Sequence, residues 1–178
     1  VGTATCGRAA GALEVLQAIK DTVKKQSLSC LIYEVGCMGH CYAEPLVILR
    51  KPGYPSICYG HVNPVLVENL INNFLLNDDP CLEFVLGAIE ENDFIPSFSD
   101  FPRSKYEKRI LLKNCGQINP EEIEHYIANG GYEGLAKTLQ MKPEEIVSEV
   151  KRSKLRGLGG AGFPAGEKWD LCHHSEGK

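Results

Sequence analysis

The residues best suited to chemistry crowd into positions 155–169, LRGLGGAGFPAGEKW, which include Gly157, Gly159, Gly160, Gly162 and Gly166. Glycine reaches backbone angles that other residues avoid and lets a main chain approach a ligand closely. Successive amides in such a loop can turn toward one anionic group, as backbone nests do for phosphate. Arg156 and Lys168 flank the loop and can add charge-assisted hydrogen bonds to the same anion. The stretch therefore reads as a loop that wraps a phosphorylated cofactor. Gly157, Gly159 and Gly162 spell G-x-G-x-x-G, but the dinucleotide fingerprint needs a strand before it and a helix straight after it. Here a helix-like segment, 143–154, comes first, and Phe163 with Pro164 interrupts the chain just after the glycines, so the Rossmann reading is rejected. No Gly-Lys-Ser/Thr closes the loop, which rejects a P-loop. A flexible linker would hardly embed Phe163 and the single tryptophan, Trp169.

The second chemical feature is a set of eight cysteines. The chain opens on no secretory signal, and the spacing is not that of a small stapled scaffold. A reducing, cytoplasmic setting with some thiols serving metal is the expected reading. Cys37 and Cys41 lie in one loop, 36–41, where Gly36 and Gly39 permit a tight path, so both thiolates can grip one iron. Cys6 would join them if its turn lies at the same edge of the sheet. Iron–sulfur clusters usually take four thiolates, and only Cys6 stands near the start of the chain. The fourth ligand is left open among a residue upstream of Val1, Cys58 and a non-cysteine group. A Cys37–Cys41 disulfide, a zinc site and inert thiols also stay open. Cys30, Cys81 and Cys115 read as packing or structural thiols, and His40 as a solvated loop residue. The absence of C-x-x-C argues against a thiol–disulfide enzyme.

These groups must be positioned by the elements between them. Strands are expected over 1–5, 31–35, 45–50 and 56–59. Helices are expected over 9–25, with Ala12, Val15, Leu16, Ile19 and Val23 as a buried stripe, and from Asn63 onward, with Leu66, Val67, Leu70, Ile71 and Phe74 buried. Asn63 and Pro64 suit the N-cap and first helical positions. The order β-α-β-β-β-α is a small α/β unit, thioredoxin-like in arrangement, over 1–77. Residues 78–105 read as a connector with one short helix over 82–90. Its Phe94, Phe98 and Phe101 are too apolar for a free tether and should lie on a neighbouring surface. From 106 to 178 a helical domain begins, with helices from Asn119 to about 129, over 132–139 and over 143–154.

Composition sets outer limits. The 178 residues are 43% hydrophobic and 24% charged, ordinary for a globular chain. A net charge of −4 argues against a nucleic-acid partner gathered by bulk electrostatics. No apolar run reaches the length of a membrane span, so membrane association would run through a partner.

The glycine-rich segment resembles the flavin-binding loop of the flavin- and NADH-binding subunit of respiratory complex I, a subunit type shared with NAD-linked hydrogenases, formate dehydrogenases and electron-bifurcating enzymes. The family pattern LRGRGGAGFPTGxKW is matched nearly throughout. Leu158 replaces its second arginine, and Leu171 stands where some relatives place a second adenine-stacking aromatic. The helical lead-in, NCGxINPEEIEHYIANGGYEGLAK, is similar to the same family. The resemblance implies that Gly157, Gly159, Gly160 and Gly162 line FMN, that Lys168 approaches its phosphate, and that Phe163 stacks on the NADH adenine. The segment VGCMGHCYAEPLV resembles thioredoxin-like 2Fe-2S ferredoxin domains, which implies Cys6, Cys37 and Cys41 as cluster ligands.

The expectation is a thioredoxin-like N-terminal domain followed by the helical start of an FMN-binding α/β domain. The chain reads as a piece of a longer NADH dehydrogenase-type subunit, whose acidic FMN-contacting segment and 4Fe-4S cysteines would come after Lys178. The resemblance implies hydride transfer from NADH to FMN and single electrons onward to iron–sulfur clusters, with no catalytic acid or base in this segment. Redox subunits of a hydrogenase, a formate dehydrogenase or a complex I-like assembly are the implied partners. The rival expectation is a cluster-free thioredoxin-like docking module that joins the flavoprotein to such a partner.

Overall fold

The computed structural model describes residues 1–102 and 104–177; Arg103 of the expected connector and Lys178 lie outside them. Contacts divide the chain into two compact units, Val1–His125 and Tyr126–Lys178.

In the first unit, α1 (Thr5–Ala9) leads into α2 (Ala12–Lys25), whose Ala12, Val15, Leu16 and Ile19 are buried as their helical spacing requires. Three short strands come next in the sheet: β1 (Val47–Leu49), β2 (Ile57–Tyr59) and β3 (Val85–Ala88). They are antiparallel, in the order β1-β2-β3, with Val47 opposite Tyr59 and Ile57 opposite Ala88. Between β2 and β3 runs α3 (Pro64–Leu70), which continues as a π-helix over Ile71–Leu76. The Asn63 side chain accepts the Leu66 N–H at 2.9 Å, and Pro64 stands in the first turn. One orphan amide of the helix start is thereby satisfied, and the missing proline donor costs nothing there.

Alternation along the strands sends side chains to both faces of the sheet. Val47, Ile57 and Tyr59 join α2 and α3 in the larger core, together with Phe74 and Leu70. Cys58 and Leu46 face the other way and pack with Met38 and Ala43, partly covered by Leu86, Ile89 and Phe98. The loop that carries Cys37 and Cys41 is seated on this smaller cluster through Met38.

Several expected elements differ. The strands over 1–5 and 31–35 reduce to a single parallel bridge between Gly2 and Val35, and Cys6 sits in helix α1 rather than a turn. Leu31 is left exposed, because without a paired ladder alternation buries nothing. The helix expected over 82–90 is a turn of 3-10 helix, Leu82–Phe84, and then β3. A short apolar run does not distinguish helix from strand, and the open edge of β2 decides the matter. Phe98 and Phe101 pack as their apolarity requires, whereas Phe94 is exposed.

The second unit is helical. It holds the end of α4 (Ile123–Ala128), then α5 (Glu133–Thr138), α6 (Pro143–Ser153) and α7 (Ala165–His174). The Glu145 carboxylate accepts the Lys142 N–H at 2.9 Å and closes the start of α6. Lys154, in the left-handed conformation, ends it. Among the described residues of this unit only Val147 and Gly166 are buried. The chain is thus a mixed helix-and-small-sheet protein of α/β type.

Candidate functional site

The glycine-rich segment joins α6 to α7 as a closed loop. Its neck is an antiparallel bridge between Arg156 and Pro164, with Gly157 N–H donating to the Phe163 carbonyl at 2.9 Å and Ala165 N–H to the Leu155 carbonyl at 2.8 Å. Above the neck, the amides of Gly159 and Gly160 make no backbone hydrogen bond among the described residues, and the space beside both Cα atoms is open. Gly160 has φ +100, which turns the loop tip. Arg156 and Lys168 are exposed around it, and half of the Phe163 surface is open as well. Amides without a backbone partner, in an exposed loop flanked in sequence by Arg156 and Lys168, can receive an anionic group. Phe163 and Pro164 stand between the glycines and α7, which begins at Ala165. The element before the loop is helix α6, not a strand, so the Rossmann arrangement is still not met.

The loop is braced from below. Lys151 of α6 pairs with Asp170 at 2.9 Å and Glu167 at 3.4 Å on α7. The Asp170 hydrogen bond holds the Lys151 ammonium above its ordinary range, and Lys151 holds Asp170 below its own. His173 meets Glu144 at 3.3 Å, which ties the far end of α7 back to the start of α6.

In the first unit, the sulfurs of Cys37 and Cys41 lie 3.6 Å apart. Two thiolates at ~2.3 Å from one tetrahedral metal would stand about 3.8 Å apart, so the pair fits two ligand positions on one ion. It is far from the ~2.05 Å of a disulfide. The Gly39 N–H donates to Cys37 Sγ at 3.2 Å. That bond draws the Cys37 thiol down, but burial, the bond with Cys41 and the Glu44 carboxylate outweigh it and leave it above its ordinary range. Cys6 is exposed on α1. Among the described residues no group of three or more His, Cys, Asp or Glu side chains is arranged to hold a metal ion. The structure therefore brings Cys37 and Cys41 together and does not add Cys6 as a third ligand. No step is derived through a cluster.

The remaining thiols sort by burial. Cys58 lies buried inside β2 and packs with Met38, Ala43 and Leu46, its thiol pushed up to about 12 by burial. Cys81 is likewise buried, whereas Cys30 is exposed and does not pack as expected.

Three residues escape a reading of the sequence. His40 is buried rather than solvated, its ring stacked on Phe98 with centroids 4.6 Å apart. Glu44 is buried, and its carboxylate accepts the Leu46 N–H at 2.8 Å. Burial raises its pKa, partly offset by that bond. A lone acid inside the apolar run from Ala43 to Val47 is the available signal. Arg109 donates to the Met38 carbonyl at 2.7 Å, a contact 71 positions apart in sequence that no local pattern announces.

Over part of its length the chain is similar to subunits of NADH-quinone oxidoreductases and of an NADP-reducing hydrogenase. Specifically, it is 61% identical over 68 residues to the NADP-reducing hydrogenase subunit HndC of Solidesulfovibrio fructosivorans, a match covering 38% of this chain and 14% of HndC. It is 42% identical over 83 residues to the F subunit of the NADH-quinone oxidoreductase of Aquifex aeolicus, covering 46% of this chain and 20% of that protein. A different subunit of the same hydrogenase, HndB, is 32% identical over 81 residues, covering 45% of this chain and 64% of HndB. The matched stretches thus span a fifth or less of the length of the F-type and HndC relatives. No family model matches the chain. Among the described residues no helix is long and apolar enough to cross a membrane.

Proposed function

We propose that this chain is the flavin-loop portion of an NADH-oxidising flavoprotein subunit, joined to a thioredoxin-like, ferredoxin-type unit. In this reading residues 1–77 form the body of that unit, 78–105 lead on from it and complete its sheet with β3, and 106–178 begin the FMN-binding domain. The observation that carries the reading is the loop above the Arg156–Pro164 bridge, with the Gly159 and Gly160 amides making no backbone hydrogen bond among the described residues. The 61% identity to HndC supports it.

The chain's own residues would act by binding and orientation. Amides of the glycine tip, at Gly159, Gly160 and Gly162, would donate to the phosphate of FMN, while Gly157, whose N–H closes the neck, would line the flavin. Lys168, on the first turns of α7, adds a cation to the same group, strengthened by the positive end of the helix. Phe163, exposed at the neck, offers a ring face to the adenine of NADH. FMN, when bound, supplies hydride acceptance and release of electrons one at a time. No side chain of this segment needs to move a proton. Cys37 and Cys41 would hold one iron of a 2Fe-2S cluster; Cys6, exposed on α1 and not gathered with them, would serve as a further ligand only after α1 moved. The partners are other redox subunits, of the hydrogenase, formate dehydrogenase or complex I-like kind.

The test is cofactor analysis of the polypeptide isolated with its natural termini. FMN recovered in a one-to-one ratio supports the reading, and a flavin-free, colourless protein refutes it. FMN without iron or sulfide at the cysteine loop would leave the first unit as a docking module.

A further inference from the structure

Cys37 and Arg109 address the two ends of one peptide group. The peptide that joins Met38 to Gly39 presents its carbonyl to Arg109 Nη2 at 2.7 Å and its N–H to Cys37 Sγ at 3.2 Å. In a planar trans peptide the C=O and N–H point in opposite directions, so fixing one end aims the other. Arg109 is itself fixed, because its Nε donates to Glu107 at 2.6 Å. A second attachment comes from the same segment: Gly116, with φ +81, lies against the Met38 side chain so closely that a Cβ there would collide with it. Met38, the residue after Cys37, is thus held at its carbonyl and at its side chain by a stretch more than seventy positions downstream.

We propose that Arg109 is a positioning residue for Cys37, acting through the Met38 carbonyl to aim and polarise the Gly39 N–H toward the sulfur. A cation on the carbonyl draws electron density through the amide and makes its N–H a stronger donor. Hydrogen bonds from backbone amides to ligand sulfurs are one of the means by which a protein sets the potential of an iron–sulfur centre. Arg109 lies five positions before the lead-in motif that opens at Asn114, and Gly116 lies inside that motif, so this stretch would adjust the cysteine loop directly. The purpose of the contact rests on the metal reading of Cys37; the contact itself does not.

Hydrogen exchange resolved to single amides tests it in the intact chain, whatever metal the chain carries. Arg109→Ala should lower the protection of the Gly39 amide by about fivefold, the ratio for a hydrogen bond of about 1 kcal/mol. Arg109→Lys, which keeps a cation for the carbonyl, should restore most of it. Cys37→Ala should lower Gly39 protection similarly, and adding Arg109→Ala to it should lower it little further. The amide of Ala43, which donates to the His40 carbonyl at 2.9 Å in the same loop, should keep its protection throughout. Unchanged Gly39 protection in Arg109→Ala, or an equal fall at Gly39 and Ala43, overturns the proposal. Iron analysis of the same samples reads the metal assignment separately, so the two can fail independently.

Discussion

Gly166 of α7 rests directly on the backbone of Lys151 in α6: a Cβ at Gly166 would sit 2.6 Å from the Lys151 N and Cα atoms. This contact sets how near the two helices that carry the glycine loop can come, and the Lys151 pairs with Glu167 and Asp170 depend on that approach.

Gly166→Ala is therefore expected to push α7 away from α6 at a cost of about 1–3 kcal/mol, the usual range for overpacking. The check is hydrogen exchange along α7, which should speed up while protection in α2 stays unchanged. Gly159→Ala, at a position with open space, should leave α7 protection as it is.

Glu44 gives the first unit a signed pH dependence. Burial raises the carboxyl pKa in the folded state, so the folded protein binds more protons than the unfolded chain above the ordinary glutamate range. Stability is then lost as pH rises from that range through the folded pKa, where the buried group must ionise. Glu44→Gln is expected to raise the unfolding midpoint near neutral pH and to give little gain at about pH 4. Urea unfolding of both proteins across that range decides it. A gain that is constant with pH would mean that Glu44 acts only by packing.

Lys51 closes the end of the long helix after β2. Its ammonium donates to the carbonyls of Phe74 and Leu75 at 2.9 and 2.8 Å and pairs with Asp78 at 2.7 Å. Lys51→Met keeps much of the apolar stem and removes the charge. It is expected to cost about 1–2 kcal/mol of stability by urea unfolding, as two helix-end carbonyls lose a cationic donor.

The helix start offers a calibrated comparison. Asn63→Ala removes the acceptor for Leu66 N–H and should cost about 1 kcal/mol. Asn63→Asp keeps an acceptor and should cost little in the same urea experiment.

The parts of this molecule set by nearest neighbours are legible in the sequence. The buried stripe of α2, the Asn63 cap and the stripe from Leu66 to Phe74 need only helical spacing and a capping residue. The loop between α6 and α7 is legible for the same reason, because its glycines crowd into one short stretch. Long-range choices are not. Val85 to Ala88 forms a strand because β2 offers an unpaired edge, and Leu31 stays out because no strand lies beside it. His40 is buried by Phe98, 58 positions away, and the Met38 carbonyl is claimed by Arg109. In the candidate site, the pairing of Cys37 with Cys41 comes from local spacing. Whether Cys6 joins them depends on the path of α1, which the residue pattern does not specify.

Everything proposed for the second unit rests on the glycine loop before Trp169 holding the phosphate of a flavin. The sharpest experiment strips flavin from the polypeptide isolated with its natural termini and compares rebinding of FMN with that of riboflavin, which lacks the phosphate. FMN should bind more tightly, and Lys168→Ala should remove much of the difference while leaving riboflavin affinity unchanged. Equal affinity for the two flavins, or no binding of either, would rule out phosphate recognition by this loop.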